Sequence, residues 1–231
     1  MKLLCALTGL ILLSCGTGSE WTDLLIDGDM AFRQSIGEWV IVGNAVQSQQ
    51  DEKLLITQPG EGTIVNGPTG RTEHLFTIME HGDIKAHIEF MVPAGSNSGV
   101  YFQGRYEIQV LDSWGTEPDV HQCGAIYERW IDIDKQGYEG TPPRVNAARK
   151  PGEWQTYDIT FRAPRFDAQG NKTVNAKFVK VVHNGVVIHE NEEVTGPTRA
   201  AAFDDEAPMG PLMFQGDHGP VAYRNVRVRN L

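Results

Sequence analysis

Three long polar side chains alternate along one short stretch of the sequence and could face the same ligand. Arg105, Glu107 and Gln109 are separated by apolar residues between positions 106 and 110. Successive side chains of a strand point to opposite faces, so this pattern predicts a strand with one apolar and one polar face. A face that carries a cation, an acid and an amide is typical of a wet binding surface.

A second carboxylate, Asp112, follows Glu107 after five residues. On a regular strand this spacing puts the two acids on opposite faces, but a β-bulge between them would bring them to one face. Two carboxylates on one face can act as nucleophile and acid on a glycosidic bond. Jelly-roll retaining glucanases have a similar run with a third acid in its centre, where Gln109 stands here. A retaining glycosidase therefore stays one of the functions that the residues allow.

The composition favours an all-β domain that binds a neutral polar ligand. The 231 residues carry a formal charge of −10 and include 25 Gly and 12 Pro. We expect no binding of nucleic acid, which needs a basic surface. Alternating runs, clearest from Asp83 to Val92, predict about ten to thirteen strands in two packed antiparallel sheets.

Other runs predict individual elements. Residues 40–46 and 53–57 are expected to form edge strands, and the Gly and Pro residues from Pro59 to Gly70 are expected to end them. Residues 177–190 predict a hairpin, because Asn184-Gly185 is a strong two-residue turn signal.

The first residues predict an export signal. Lys2 precedes the apolar segment Leu3–Leu13, which is too short to span a bilayer. Leu12-Leu13-Ser14-Cys15 resembles a bacterial lipobox, which implies cleavage before Cys15 and lipidation of its thiol. An ordinary secretory leader is the alternative.

This signal divides the chain into three parts. Residues 1–14 are the expected lipoprotein signal peptide, residues 15–20 a tether, and residues 21–231 the domain. We expect the protein in the bacterial cell envelope, where the lipid on Cys15 would anchor it in a membrane that it faces from the periplasm or the exterior.

Ordered motifs extend through the second half of the chain. N-S-G-V-Y-F-Q-G and Y-E-I-Q-V-L-D-S lie between Asn97 and Ser113, and further motifs occupy Cys123–Tyr127, Pro151–Asp158, Phe161–Asp167, His183–Val186 and Gln215–Gly219. Together they resemble the 3-keto-disaccharide hydrolases, a family formerly labelled a domain of unknown function. The resemblance is firm from about residue 82 onwards. It implies a concanavalin-like jelly roll in which a concave sheet binds carbohydrate.

The resemblance also implies a chemistry. A ketone at C3 of a sugar acidifies the C2 hydrogen, so a general base can remove it, and the enolate can then expel the C1 substituent before water adds. His218 is the leading candidate base and Glu107 its competitor, although His218 could instead brace its own loop. A sugar 3-dehydrogenase that makes the ketone is an expected partner upstream.

Several polar residues are candidates for orienting the sugar hydroxyls. Each could also serve the fold alone, for instance by pairing with a neighbouring acid or by packing in the core. The long segment 114–150 is expected to form a wall of the site. The candidate substrate-binding residues are Arg105, Gln109, Asp112, Tyr127, Asn146, Lys150 and Gln215.

The enolate needs an electrophile, which could be a metal ion, an arginine or an imidazolium. No ligand spacing establishes a metal site, but Glu107, Asp112 and His218 could converge around a divalent cation. Three functions stay open: a lyase or hydrolase of 3-keto-glycosides, a lectin-like module that binds glycan without cleaving it, and a retaining glycosidase. The lectin is favoured if His218 and Glu107 lie far apart.

Overall fold

The computed structural model describes residues 20–25, 31–33, 37–67, 69–131 and 136–231. The predicted signal peptide, lipidated Cys15 and nearly all of the tether lie outside these residues. Within the described ranges, no helix has the length and hydropathy that crossing a membrane would require.

Sixteen strands form the described part of the chain. They are β1 Thr22–Asp23, β2 Val40–Gln47, β3 Leu55–Val65, β4 Leu75–His81, β5 Ile84–Met91, β6 Asn97–Phe102, β7 Tyr106–Leu111, β8 Arg129–Ile131, β9 Gln136–Tyr138, β10 Gln155–Arg162, β11 Arg165–Phe166, β12 Lys172–Val174, β13 Ala176–His183, β14 Val186–Val194, β15 Gly210–Phe214 and β16 Ala222–Asn230.

Two antiparallel sheets contain most of these strands. The larger has the order β14-β13-β10-β5-β16-β3-β2, with β1 beside β16, and the smaller has the order β4-β15-β6-β7. The pairs β8-β9 and β11-β12 form separate ribbons. The predicted all-β jelly-roll sandwich is therefore confirmed, and the strands in excess of the predicted number are mainly two- and three-residue pieces.

The core lies between the two sheets. The apolar face predicted for β7, which comprises Tyr106, Ile108 and Val110, is fully buried there. Tyr106 packs on Phe161 of the larger sheet, with ring centroids 5.5 Å apart. Because side chains alternate along a strand, the intervening residues of β7 point away from the larger sheet.

Of the two predicted edge strands, β2 does lie at the edge of the larger sheet, but β3 differs from the prediction. β3 does not end at Pro59 but continues to Val65, and it lies between β2 and β16 rather than at an edge. A register shift between Val42 and Asn44 accommodates the proline, and Gly43 packs against the backbone of Pro59 and Gly60. The Gly and Pro residues thus form a bulge in a continuing strand.

The predicted hairpin is confirmed. β13 and β14 pair on either side of Asn184 and Gly185, which have φ angles of 49° and 82°. Two consecutive positive φ angles are typical of a type I′ turn, for which Asn-Gly is the preferred sequence.

Candidate active site

A cavity of about 310 Å³ opens on the face of β6 and β7 that points away from the larger sheet. Strand residues form its floor, and three segments that follow β7, β14 and β15 supply its walls. The lining residues are Asn97, Tyr101, Glu107, Gln109, Tyr127, Arg199, Ala200, Gln215 and His218.

The pairing of β6 with β7 sets the floor. Gly99 lies opposite Gln109, and Tyr101 lies opposite Glu107, in an uninterrupted antiparallel register. A Cβ atom on Gly99 would lie 2.2 Å from Oε1 of Glu107, far inside a normal contact distance. The glycine therefore leaves the space that the Glu107 carboxyl group occupies.

Glu107 is 3% exposed although it lines the cavity. Burial raises the pKa of its carboxyl group to about 8, and a hydrogen bond with the Tyr101 hydroxyl only partly opposes this shift. Burial disfavours the charged form of an acid, so Glu107 is mostly protonated at neutral pH. A protonated carboxyl group can donate a hydrogen bond or a proton to a ligand.

The Tyr101 hydroxyl connects Glu107 to the wall of the cavity. It lies 3.2 Å from the backbone oxygen of Arg199, to which it donates a hydrogen bond. The hydroxyl has a single proton, so it cannot donate to the Glu107 carboxylate and to Arg199 at once. Ionisation of Glu107 would therefore compete with one of the contacts that hold the segment around Arg199.

His218 forms a dyad with its neighbour Asp217. Its Nδ1 atom lies 2.5 Å from Oδ1 of Asp217, and its side chain is about half exposed. The same oxygen lies 3.9 Å from Nδ1 of His74, and Arg71 donates to the backbone oxygen of Asp217. A proton on Nδ1 that is donated to the carboxylate leaves Nε2 as the basic atom. The dyad therefore has the chemistry of a general base.

Polar groups of the walls complete the cavity. Burial, followed by the nearby charge of Glu107, raises the pKa of Tyr127, so its hydroxyl stays a donor. The Gln109 amide is partly engaged, since its nitrogen donates to the backbone of His121 at 3.4 Å and its oxygen accepts from the backbone of Val110 at 3.1 Å. Within the described ranges, the buried Oδ1 atom of Asn97 has no hydrogen-bond partner, so it could accept a bond from a ligand hydroxyl.

Sequence reasoning missed several lining residues. Asn97 and Tyr101 belong to the same motif as Gly99. Pairing β6 with β7 puts Tyr101 opposite Glu107, and side-chain alternation along β6 then puts Asn97 on the same face, so the sequence could have identified both. Arg199 lies in an irregular segment without a periodic signal. Its guanidinium lies 3.7 Å from the ring centroid of Trp130 and 3.9 Å from Oε1 of Glu128, so a cation is held at the cavity edge.

Arg105 does not line this cavity: alternation predicted it on the same strand face as Glu107, but it lies in the turn that precedes β7. Its side chain donates to the backbone and the carboxylate of Asp205 at 2.6 and 2.7 Å, and to the backbone oxygen of Gln103 at 2.9 Å. Its guanidinium also lies 4.5 Å from the ring centroid of Phe203. These contacts tie the segment after β14 to the sheet, because every donor group is directed into that segment or the adjoining turn.

The other candidates outside the cavity brace loops. Asp112 accepts a hydrogen bond from the backbone nitrogen of Gly95 at 2.8 Å. Asn146 donates to the backbone oxygens of Ser113 and Thr116 at 2.6 and 2.8 Å, which closes the long segment after β7. The amine of Lys150 lies 5.0 Å from the ring centroid of Trp114. Glu107, Gln109, Tyr127, Gln215 and His218 are thus the predicted site residues that the cavity brings together.

The structure contradicts the bulge that paired carboxylates would require. The register from Asn97↔Leu111 to Phe102↔Tyr106 is continuous, and Asp112 follows the end of β7. Among the cavity-lining residues, Glu107 is the one carboxylic acid. A retaining glycosidase needs two such groups about 5 Å apart, so that mechanism has no second acid here.

The expected convergence of Glu107, Asp112 and His218 is also incomplete, because Asp112 lies outside the cavity. In the part of the chain that the structure describes, no group of three or more His, Cys, Asp or Glu side chains is arranged to hold a metal ion.

Comparisons with known proteins agree with this architecture. A solved structure of a candidate glycosyl hydrolase from Parabacteroides distasonis is 29% identical, covers 91% of this chain and 84% of its own, and has a TM-score of 0.62. A second candidate glycosyl hydrolase from the same organism is 19% identical, covers 92% and 100% of the two chains, and has a TM-score of 0.59, which shows the shared fold. No curated protein matches the chain.

A family model described as a 3-keto-alpha-glucoside-1,2-lyase-like domain matches residues 20–229. The match supports a carbohydrate-active function and confirms the resemblance that the motifs indicated. The chain therefore belongs to the family of 3-keto-alpha-glucoside-1,2-lyase-like domains.

Proposed function

We propose that the protein cleaves the glycosidic bond of 3-keto-glycosides by removal of the C2 proton, elimination of the C1 substituent and later addition of water. One observation carries the proposal: the Asp217–His218 dyad and the buried, protonated Glu107 open on the same cavity. An enzyme that forms an enolate needs a base that can accept a proton and an acid that still holds one at the same pH.

His218 is the base in this proposal. Its Nε2 atom takes the C2 proton, and the electron pair of the C–H bond forms the enolate between C2 and C3. Asp217 stabilises the resulting imidazolium, because the carboxylate accepts the hydrogen bond from Nδ1. The proton that Nε2 now carries can pass to the leaving oxygen.

Glu107 stabilises the enolate. With a pKa of about 8, its carboxyl group holds a proton at neutral pH and can donate a hydrogen bond to the C3 oxygen as negative charge develops there. The Tyr127 hydroxyl and the Arg199 guanidinium line the same cavity and can contribute further donors. These donors favour the enolate over the ketone, so they lower the barrier to proton removal.

The enolate then reforms the C3 ketone. Its electron pair forms a double bond between C1 and C2, the bond from C1 to the leaving oxygen breaks, and the leaving group departs as an alcohol. Water then adds across the double bond between C1 and C2. Neutral His218 can take a proton from the water as its oxygen attacks C1, and C2 regains a proton. The sum is hydrolysis of the glycosidic bond without net oxidation or reduction.

The proposal includes two further expectations, one about the source of the substrate and one about the location of the protein. A sugar 3-dehydrogenase must supply the ketone, because the proposed site does not oxidise the sugar itself. Lipidation of Cys15 would hold the protein in the cell envelope, where exported enzymes meet extracellular glycosides.

The experiment is a paired incubation. Purified protein is given a 3-keto-disaccharide or the unoxidised parent disaccharide, and the released monosaccharide is measured. We expect cleavage of the 3-keto compound alone, since the unoxidised sugar has no acidic C2 hydrogen. Binding of either sugar without cleavage would instead support a lectin-like module, and equal cleavage of both would support direct displacement at C1.

A further inference from the structure

A second cavity, of about 280 Å³, adjoins the proposed active site. Arg199 and Ala200 line both cavities, so the two share one wall. We infer that this second cavity is the leaving-group subsite of the enzyme and that it takes a neutral, hydroxylated ring in preference to an anionic one. The inference rests on the proposed function.

The sizes of the cavities are the first argument. Ligand pockets have volumes of about 300–1,000 Å³. The two cavities, of 310 and 280 Å³, lie at the lower end of this range, so each has room for roughly one sugar ring. A glycoside with a second ring must therefore extend beyond the cavity that contains Glu107 and His218. The shared wall makes the second cavity an adjacent place for the ring attached to C1.

Trp130 supplies the contact surface. Its half-buried side chain lines the second cavity, and Arg199 packs 3.7 Å from its ring centroid. Large aromatic side chains that are fixed by neighbours offer apolar area at little entropic cost, and the C–H face of a sugar ring is apolar enough to pack on them. Trp114, by contrast, is exposed and lines neither cavity.

The charges favour a neutral ligand. Arg129 and Arg199 line the cavity, but each already has a carboxylate 3.9 Å away, Glu139 and Glu128 respectively. Asp204 adds a further carboxylate to the lining. Three carboxylates thus lie in or beside this cavity against two cations, so an anionic leaving group should bind more weakly than a neutral ring.

A third cavity on the other side of Tyr127 is a less suitable subsite. It has a volume of about 330 Å³ but shares only Tyr127 with the active site. Its lining includes Glu139 and Glu193 and no aromatic side chain besides that tyrosine. Arg129 lines both the second and the third cavity, but Glu193 lines only the third, so Glu193 supplies a control position.

The test compares kcat/KM for three substrates: methyl 3-keto-α-glucoside, a 3-keto-disaccharide that releases glucose, and one that releases glucuronic acid. The methyl compound is an internal reference. Replacing Trp130 could disturb Arg199 and slow the reaction, but that effect applies to every substrate and cancels in the ratio of disaccharide to methyl glycoside.

We expect Trp130→Ala to lower this ratio about three- to tenfold, the usual effect of losing an aromatic contact, and Trp130→Phe to retain most of it. Trp114→Ala, the matched control, should leave the ratio unchanged. Asp204→Asn should raise the preference for the glucuronic acid substrate about two- to fivefold, whereas Glu193→Gln in the third cavity should not.

The possible failures are distinguishable. If the wild-type protein cleaves methyl 3-keto-α-glucoside but Trp130→Ala leaves the ratio unchanged, the subsite is wrong and the proposed function stands. A response to Glu193→Gln rather than to Asp204→Asn would move the leaving group to the third cavity and overturn the inference. If the wild-type protein cleaves none of the three substrates, the proposed function fails and the inference fails with it.

Discussion

The Glu107 carboxyl group occupies the space above Gly99 on the neighbouring strand, where a Cβ atom would come within 2.2 Å of Oε1. A glycine in mid-strand normally weakens a sheet, because it has no side chain to pack. Here it lets a carboxyl group lie flat on the strand pair and reach the cavity. The position of the proposed acid thus depends on a residue that has no chemistry of its own.

Gly99→Ala should therefore impair both activity and stability. The added methyl group displaces the Glu107 carboxyl group, and overpacking of this kind typically costs about 1–3 kcal/mol in unfolding free energy. A misplaced catalytic group can cost about a hundredfold in turnover. Gly95→Ala is a suitable control for the added methyl group, since a Cβ there meets no neighbouring atom, although its φ of +67° adds some strain. Equal activity of the Gly99→Ala variant and the wild type would show that the carboxyl position is unimportant.

Glu107→Gln should change how stability depends on pH. The folded carboxyl group has a pKa of about 8, against 4.5 for an ordinary glutamate, so the folded state binds more protons between these values. Wild-type stability should therefore fall as the pH rises through this window, by up to about 1.4 kcal/mol per pH unit from this group alone. The glutamine variant should lack that slope. Urea denaturation at pH 5, 6, 7 and 8 measures it, and parallel profiles for the two proteins would contradict the raised pKa.

His218→Ala should lower turnover of a 3-keto-glycoside by about two to four orders of magnitude, the usual contribution of a positioned general base. Asp217→Asn should have a smaller effect, because the carboxylate accepts the hydrogen bond that orients the ring. His87→Gln is the control, since His87 bonds Asp158 on the larger sheet. If His218→Ala stays active while Glu107→Gln loses nearly all proton abstraction, Glu107 is the base and the two roles must be exchanged.

Arg105→Lys should destabilise the protein by about 1–3 kcal/mol. Lysine cannot reproduce the forked contacts to Asp205 and Gln103 or the packing on Phe203. Arg144→Lys, at an exposed ion pair with Glu190, should cost less than about 1 kcal/mol. Thermal denaturation compares the two variants. Similar losses for both would mean that Arg105 does not hold the segment after β14.

Cys15→Ala should release the protein from membrane fractions. The proposed acyl chains would supply the membrane affinity, and a domain with a net charge of −10 would be repelled by anionic lipids. Fractionation of expressing cells, followed by immunoblotting, measures the distribution. A variant that still sediments with the membrane would show that lipidation of Cys15 is not the anchor.

Much of the fold was predictable because period-two alternation reports directly which strand faces are buried. The buried face of β7 and the Asn184-Gly185 hairpin followed from local pattern and turn chemistry. The course of β3 could not be predicted in this way, because Pro and Gly, here Pro59 and Gly60, occur both in bulges and at strand ends. Only the partner strand distinguishes the two.

The candidate site was predictable only where it lies on strands or in the family motifs. Glu107 and Gln109 follow from alternation, and His218 from a motif. Arg105 has the same alternation as Glu107, but contacts with a segment about 100 residues later direct it away from the cavity. Arg199 lies in that distant segment, and no local pattern marks it.

The most direct test of the account follows the C2 hydrogen of the substrate. Turnover of a 3-keto-glycoside in deuterium oxide, monitored by proton NMR, reports whether this hydrogen exchanges with solvent or is lost. The proposed elimination predicts that the released sugar carries deuterium at C2 and that His218→Ala slows both exchange and cleavage by about two to four orders of magnitude. Cleavage with the C2 hydrogen fully retained, at a similar rate for the unoxidised glycoside, would contradict it.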